Sequence, residues 1–149
     1  MEEFKTILAG SCFILDLAAT TKEEAIEEMV NALVQAGKIN RKDEVLAALL
    51  ERERKMSTGM SAELAIPHAK TNAVNEMLAV FARKKNGIDF NSLDGKPSRI
   101  FVMTISPLTG AERYVRYLGN MGKLLKNEEV RQKVLNASSK EEIIDILTK

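Results

Sequence analysis

Ile100-Phe101-Val102-Met103-Thr104-Ile105 is the stretch on which the fold turns. It is short, apolar and rich in β-branched residues, the character of a buried strand. Leu78-Ala79-Val80-Phe81-Ala82-Arg83 has the same character. Between the two lie Asn86-Gly87 and Leu93-Asp94-Gly95-Lys96-Pro97, both turn signals. Turns there allow an antiparallel excursion, so a mixed sheet is expected. Phe13 to Leu17 adds a short strand, and Glu63 to Ile66 a short extended segment. Pro67 keeps Ile66 out of the helical region and removes a backbone donor.

The segments around these strands are helical. Thr21-Lys22-Glu23-Glu24 is a capping box, in which a hydroxyl and a carboxylate reciprocally satisfy free N–H groups. Ala25, Ile26, Met29, Val30, Leu33 and Val34 then mark an amphipathic helix that Gly37 ends. Asn40 is the expected cap of a second helix, striped by Val45, Leu46, Leu49 and Leu50 and running to about Lys55. Tyr114, Tyr117, Leu118, Met121, Leu124 and Leu125 repeat at helical spacing. Asn127 caps a helix from Glu128 to Leu135, and Ser139-Lys140-Glu141-Glu142 opens a final one. Helices, strands, then helices again predict an α/β domain with helices covering a sheet.

Composition narrows the function classes. A chain of 149 residues, 45% hydrophobic and 29% charged, suits one domain over 1–149 with a sizeable core. A net charge of +1 gives no electrostatic footprint for nucleic acid. No apolar run reaches membrane-spanning length, so no direct membrane insertion is expected. The opening Met1-Glu2-Glu3-Phe4-Lys5 lacks an apolar signal-peptide region, which makes a cytoplasmic location the expectation. Cys12, the single cysteine, excludes an internal disulfide and reads as a small buried residue. One histidine and one cysteine are too few for an ordinary zinc site, so neither metal nor cofactor is expected.

The candidate chemistry centres on that one histidine, His68, in Thr58-Gly59-Met60-Ser61-Ala62-Glu63-Leu64-Ala65-Ile66-Pro67-His68-Ala69-Lys70. A neutral imidazole is a nucleophile near pH 7 and can carry a group on one ring nitrogen. On the second helix, Arg52 falls about 20° from Val45, and Glu53 lies within the apolar stripe. Two readings fit. Both side chains reach water as the helix leaves the core, or Arg52 points into a site beyond the helix end, held by Glu53. Guanidinium matches phosphoryl oxygens with its forked donors. Ser57, Thr58 and Gly59 follow as either an ordinary helix-exit turn or a set of anion donors. Lys70 is either positive charge near His68 or a surface lysine.

Glu51-Arg52-Glu53, Ser57-Thr58-Gly59 and Leu64-Ala65-Ile66-Pro67-His68-Ala69-Lys70 together resemble the signature of the fructose/mannitol-type IIA domain (EIIA type 2). That domain belongs to the bacterial phosphoenolpyruvate-dependent sugar phosphotransferase system and includes a nitrogen-regulatory branch. The resemblance extends over essentially the whole chain. It implies a mixed sheet of about five strands flanked by helices on both sides, an α/β/α sandwich. It also implies that His68 accepts a phosphoryl group on Nε2 from the histidine-containing phosphocarrier protein and passes it to a IIB cysteine. Arg52 would stabilise phosphate charge, with Glu53, Ser57, Thr58, Gly59 and Tyr114 in support.

The chain departs from the family pattern at two places. Turn positions usually glycine read Ser61 and Glu63, and Glu63 brings negative charge toward the site if it faces it. Many members carry a second histidine where Tyr114 stands here, so that histidine's role is not carried over. Two functions follow as expectations: a phosphohistidine relay in sugar uptake, or a regulatory module whose phosphorylation state controls a kinase or transporter. A degenerate fold with a purely structural His68 is the third. Hydrolase and oxidoreductase chemistry find few candidate residues.

Overall fold

A computed structural model describes residues 2–110 and 112–149; Met1, quoted above with the acidic N-terminus, lies outside them. The elements are α1 (Glu2–Ala9), β1 (Cys12–Ile14), α2 (Lys22–Gln35), α3 (Lys42–Lys55), β2 (Leu64–Ala65), β3 (His68–Lys70), β4 (Leu78–Ile88), β5 (Ser98–Ser106), α4 (Glu112–Lys126), α5 (Glu128–Asn136) and α6 (Lys140–Thr148). The two expected buried strands form the centre. They pair antiparallel, with Phe81 opposite Val102 and Ala79 opposite Thr104. β1 runs parallel to β4 on one side. On the other side β2 and β3 both run parallel to β5, one after the other. The sheet is mixed, as the turn signals implied, and five-stranded, as the resemblance implied.

Alternation along β5 builds two cores, because successive side chains point to opposite faces. Phe101, Met103 and Ile105 join Ile26, Met29 and Leu33 of α2 and Val45 and Leu49 of α3. Ile100 and Val102 join Phe4 and Leu8 of α1, Met121 and Leu125 of α4, and Ile143 and Leu147 of α6. Helices therefore cover both faces, which makes the domain an α/β/α sandwich.

The helix signals act as read. Thr21 Oγ1 accepts from Glu24 N at 3.2 Å, Ser139 Oγ from Glu142 N at 3.1 Å, and Asn127 Oδ1 from Val130 N at 3.1 Å. Gly37, at φ +71°, closes α2 with a paired 6→1 and 5→2 bond, Lys38 N to Leu33 O at 2.9 Å and Gly37 N to Val34 O at 3.0 Å.

Four details differ from the sequence reading. Arg41, not Asn40, occupies the cap position of α3, and no side chain caps it. β1 stops at Ile14 because beyond it the chain bends away to reach α2; its Cys12 is only partly buried. Asn86-Gly87 is not the reversal: it lies inside β4, where the register slips between Arg83 and Ile88. Gly87 takes φ +80° against Pro97, which leaves only 2.7 Å for a Cβ, so a bulge forms and the reversal moves to the following loop with Gly95 at φ +72°. Finally, α1 is an additional helix beyond those expected, although Phe4, Ile7 and Leu8 have helical spacing and are buried.

What matters for function is the edge. Pro67 separates β2 from β3, and its carbonyl accepts from Thr104 N at 3.1 Å. Proline has no N–H to offer β5, so the ladder breaks at this residue into β2 and β3. His68, the first residue of β3 and the register partner of Thr104, is thus delivered to an open sheet margin between α3 and α4.

Candidate phosphoryl-transfer site

His68 is half-buried, and its ring is held from two directions. Nδ1 lies 2.8 Å from Ile66 O. A carbonyl only accepts, so Nδ1 carries the proton and the Nε2 lone pair is left available. Tyr114, at the start of α4, stacks on the ring with centroids 5.8 Å apart and planes 29° apart. Lys70 Nζ lies over the other part of this stack, 6.0 Å from the Tyr114 ring centre.

A pocket of about 450 Å³ opens beside this group, lined from α3 by Ala48, Glu51, Arg52 and Lys55 and from the sheet side by His68, Lys70 and Tyr114. Arg52 is at the helix C-terminal end, where its Nη1 donates to Met56 O at 2.8 Å. That bond anchors one nitrogen and leaves the remaining guanidinium donors for a ligand. The lone acid in the lining, Glu51, is paired with Arg54 at 2.6 Å. Arg52, Lys55 and Lys70 therefore give the pocket a positive field suited to a dianion.

The electrostatics favour neutral imidazole. Burial is the largest influence on His68 and lowers its pKa below the usual 6.5; the Arg52 and Lys70 charges push the same way, while the Ile66 hydrogen bond and Glu53 oppose them. A folded-state pKa below the unfolded one means that the folded protein binds protons less readily. Stability linked to His68 is then present above the unfolded pKa and lost as pH falls. An NMR titration of the His68 ring is expected to give a midpoint below 6.5, with the neutral Nδ1–H form dominant at pH 7. Nucleophilic competence should decline only on acidification below that midpoint.

The remaining sequence-predicted residues form a support layer rather than the pocket lining. Glu53 does not hold Arg52, because consecutive helical residues point about 100° apart. Its buried carboxylate instead accepts from Thr58 N at 2.8 Å and Thr58 Oγ1 at 2.6 Å, and pairs with Lys22 Nζ at 3.1 Å. Ser57 Oγ donates to Phe90 O and accepts from Gly59 N at 3.0 Å. Gly59 sits so close to Phe90 and Ser92 that a Cβ would come within 2.5 Å of Ser92 Oγ. Together they fix the turn between α3 and β2, where Thr58 O receives Ile66 N at 3.0 Å. Glu53→Ala leaves Lys22 and Thr58 without their shared acceptor. It is expected to cost about 3 kcal/mol, read as a lowered midpoint in denaturant unfolding.

Glu63 resolves the face that the sequence left open. It turns away from His68, to Arg99 Nη1 and Arg131 Nε, each at 3.2 Å. Lys55 lies outside the set expected from sequence, though its place three residues after Arg52 puts it on the same helix face. Arg99 and Arg131 leave no local signal, since only the tertiary fold brings them to Glu63.

Comparison with known proteins agrees with this fold. A family model described as "Phosphoenolpyruvate-dependent sugar phosphotransferase system, EIIA 2" matches residues 6–149. The PTS system fructose-specific EIIA component of Haloferax volcanii is 39% identical over 145 residues, covering 97% of this chain and 94% of that protein. The nitrogen regulatory protein IIA-Ntr of Neisseria meningitidis superposes with a TM-score of 0.85 at 25% identity, over 97% of this chain and 98% of that one. The mannitol enzyme IIA of Escherichia coli, solved as a complex with phosphorylated enzyme IIB, shares the fold with a TM-score of 0.77 at 22% identity, over 91% and 92% of the two chains. No helix among the described residues is long and apolar enough to cross a membrane. With its sandwich fold, its edge histidine and a match along nearly its whole length, the chain belongs to the EIIA 2 family of the phosphoenolpyruvate-dependent sugar phosphotransferase system.

Proposed function

We propose that the protein is a phosphohistidine relay of fructose-type sugar uptake in the cytoplasm, taking a phosphoryl group from the histidine-containing phosphocarrier and passing it to a IIB cysteine. One observation carries the reading: His68 donates Nδ1–H to Ile66 O, leaving Nε2 for a pocket lined by Arg52, Lys55 and Lys70. In the first step the Nε2 lone pair attacks phosphorus, an Nε2–P bond forms, and the carrier's N–P bond breaks. The carrier ring enters protonated on its second nitrogen and leaves as neutral imidazole. His68 becomes N-phosphorylated at Nε2 while keeping its Nδ1 proton, so its ring is now cationic. The Ile66 carbonyl stabilises that cation, and Arg52 and Lys70 offset the phosphoryl charge. In the second step a cysteine thiolate attacks phosphorus, the Nε2–P bond breaks, and neutral His68 returns. Transfer of this kind needs alignment and charge stabilisation, which the lining residues supply. Glu53, Ser57, Thr58 and Gly59 support it by fixing the turn that leads to His68.

Phosphoenolpyruvate, enzyme I and the phosphocarrier are expected to place acid-labile, base-stable phosphate on the protein, dischargeable to a fructose-type IIB protein. Absence of such phosphate on the wild-type chain overturns the relay.

A second reading is a regulatory module of the nitrogen-related branch, acting on a kinase or transporter. It is favoured by Tyr114 in place of a second histidine and by the close superposition on a nitrogen regulatory protein. Rapid discharge to a IIB cysteine counts against it; phosphorylation without discharge to any IIB protein counts for it.

A further inference from the structure

Two consecutive non-glycine residues in the loop before β2 adopt left-handed backbone, Ala62 at φ +61° and Glu63 at φ +63°. Side chains crowd the backbone there, so such a pair persists only when its surroundings enforce it. Glu63 has that enforcement. Its Oε2 accepts from Arg99 and its Oε1 from Arg131, with side-chain exposures of 28% and 23% for the first pair and 13% and 23% for the second. Its carbonyl also accepts from Arg99 N at 2.8 Å and Ile100 N at 3.1 Å. Arg131 continues outward, donating to Leu125 O at 2.9 Å and Lys126 O at 3.3 Å in the last turn of α4.

One carboxylate thus ties the loop to β5 and to the α4–α5 junction, and the loop leads to His68. The loop runs through β2 to Ile66, whose carbonyl receives the His68 Nδ1 proton. We propose that Glu63 is a positioning residue for the phosphoryl acceptor. Its ion pairs with Arg99 and Arg131 hold a backbone conformation that glycine adopts unaided, and through β2 and Ile66 that conformation sets the orientation and tautomer of His68. The inference rests on the relay reading above, which makes His68 the acceptor.

The test uses the full chain with Glu63→Ala, Glu63→Gln and Glu63→Gly. Two measurements are made: ring ¹⁵N shifts of His68 in the unphosphorylated protein, and the kcat and KM of phosphoryl transfer from the carrier. Glu63→Ala is expected to move His68 from the Nδ1–H tautomer toward a mixture. It should lower kcat about tenfold or more, since small misplacements of a reacting group are costly, with KM nearly unchanged. Glu63→Gln falls between. Glu63→Gly restores most of both signals, because glycine takes positive φ without a carboxylate to hold it.

Wild-type shifts and rate in Glu63→Ala overturn the proposal, and so does a Glu63→Gly protein as impaired as Glu63→Ala. Should Glu63→Ala fail to fold, Arg131→Gln set against Glu63→Gly makes the same comparison. A wild-type chain that takes no phosphate overturns the relay, while the nitrogen shifts still decide the part played by Glu63.

Discussion

His68→Ala is expected to accept no detectable phosphoryl group, a loss of at least about a thousandfold, because no other side chain offers an equivalent nucleophile. The chain has no second histidine, and its one cysteine, Cys12, lies on β1, separated from β3 by β4 and β5 in the sheet. Tyr114 sits against the ring, yet a phenol is far less nucleophilic near neutral pH than imidazole. The substitution should leave the fold intact. β3 pairs with β5 through backbone groups, and an alanine removes only the Tyr114 stack and the Ile66 hydrogen bond. The measurement is acid-labile phosphate on purified protein after incubation with the donor system, with circular dichroism confirming folding. Equal labelling of folded His68→Ala would mean that the phosphate resides elsewhere and would remove the basis of the relay.

Arg52→Gln is the second large effect. A positioned arginine that meets charge developing on a transferring phosphoryl group contributes roughly 10²–10³ in rate. Loss on that order is expected in single-turnover transfer. A separate signature accompanies it. The Arg52 charge helps to hold the His68 pKa down, so its removal should raise the His68 titration midpoint. Arg52→Lys restores the charge and hence the midpoint, but it lacks the forked donors and recovers only part of the rate. Because Arg52 is partly exposed and, among the described residues, hydrogen-bonds its own helix end at Met56, the variants should keep near-normal stability. An Arg52→Gln protein with full rate and an unmoved titration would show that Lys55 and Lys70 suffice.

These two residues stand out in the amino-acid sequence for a physical reason. The imidazole is unique, and Arg52 is a charge on the flank of an otherwise apolar stripe, a conflict with helix patterning that a site explains. Capping boxes and the two central strands are legible on the same footing, since hydroxyl–carboxylate spacing and β-branched runs act over a few residues. Legibility falls wherever two local signals compete. Asn86-Gly87 carries a strong turn signature, but the β4–β5 ladder continues through it, and a bulge with Gly87 against Pro97 replaces the expected reversal. Asn40 is a good cap type, yet the chain enters α3 one residue later.

Short-range chemistry is thus what the primary structure alone determined: the α/β class, the capped starts of α2, α5 and α6, and the candidacy of His68 and Arg52, which line one pocket. Which partners those residues meet was decided only in three dimensions. Glu53, read as either reaching water or holding Arg52, does neither and secures Thr58 and Lys22. Glu63 suggested repulsion at the site and instead joins Arg99 and Arg131, 36 and 68 positions away in the chain. Tyr114 is far from His68 in sequence and stacks on its ring. The reason is that backbone propensity and patterning act between near neighbours, whereas the direction of a charged side chain is settled by which distant elements pack against it.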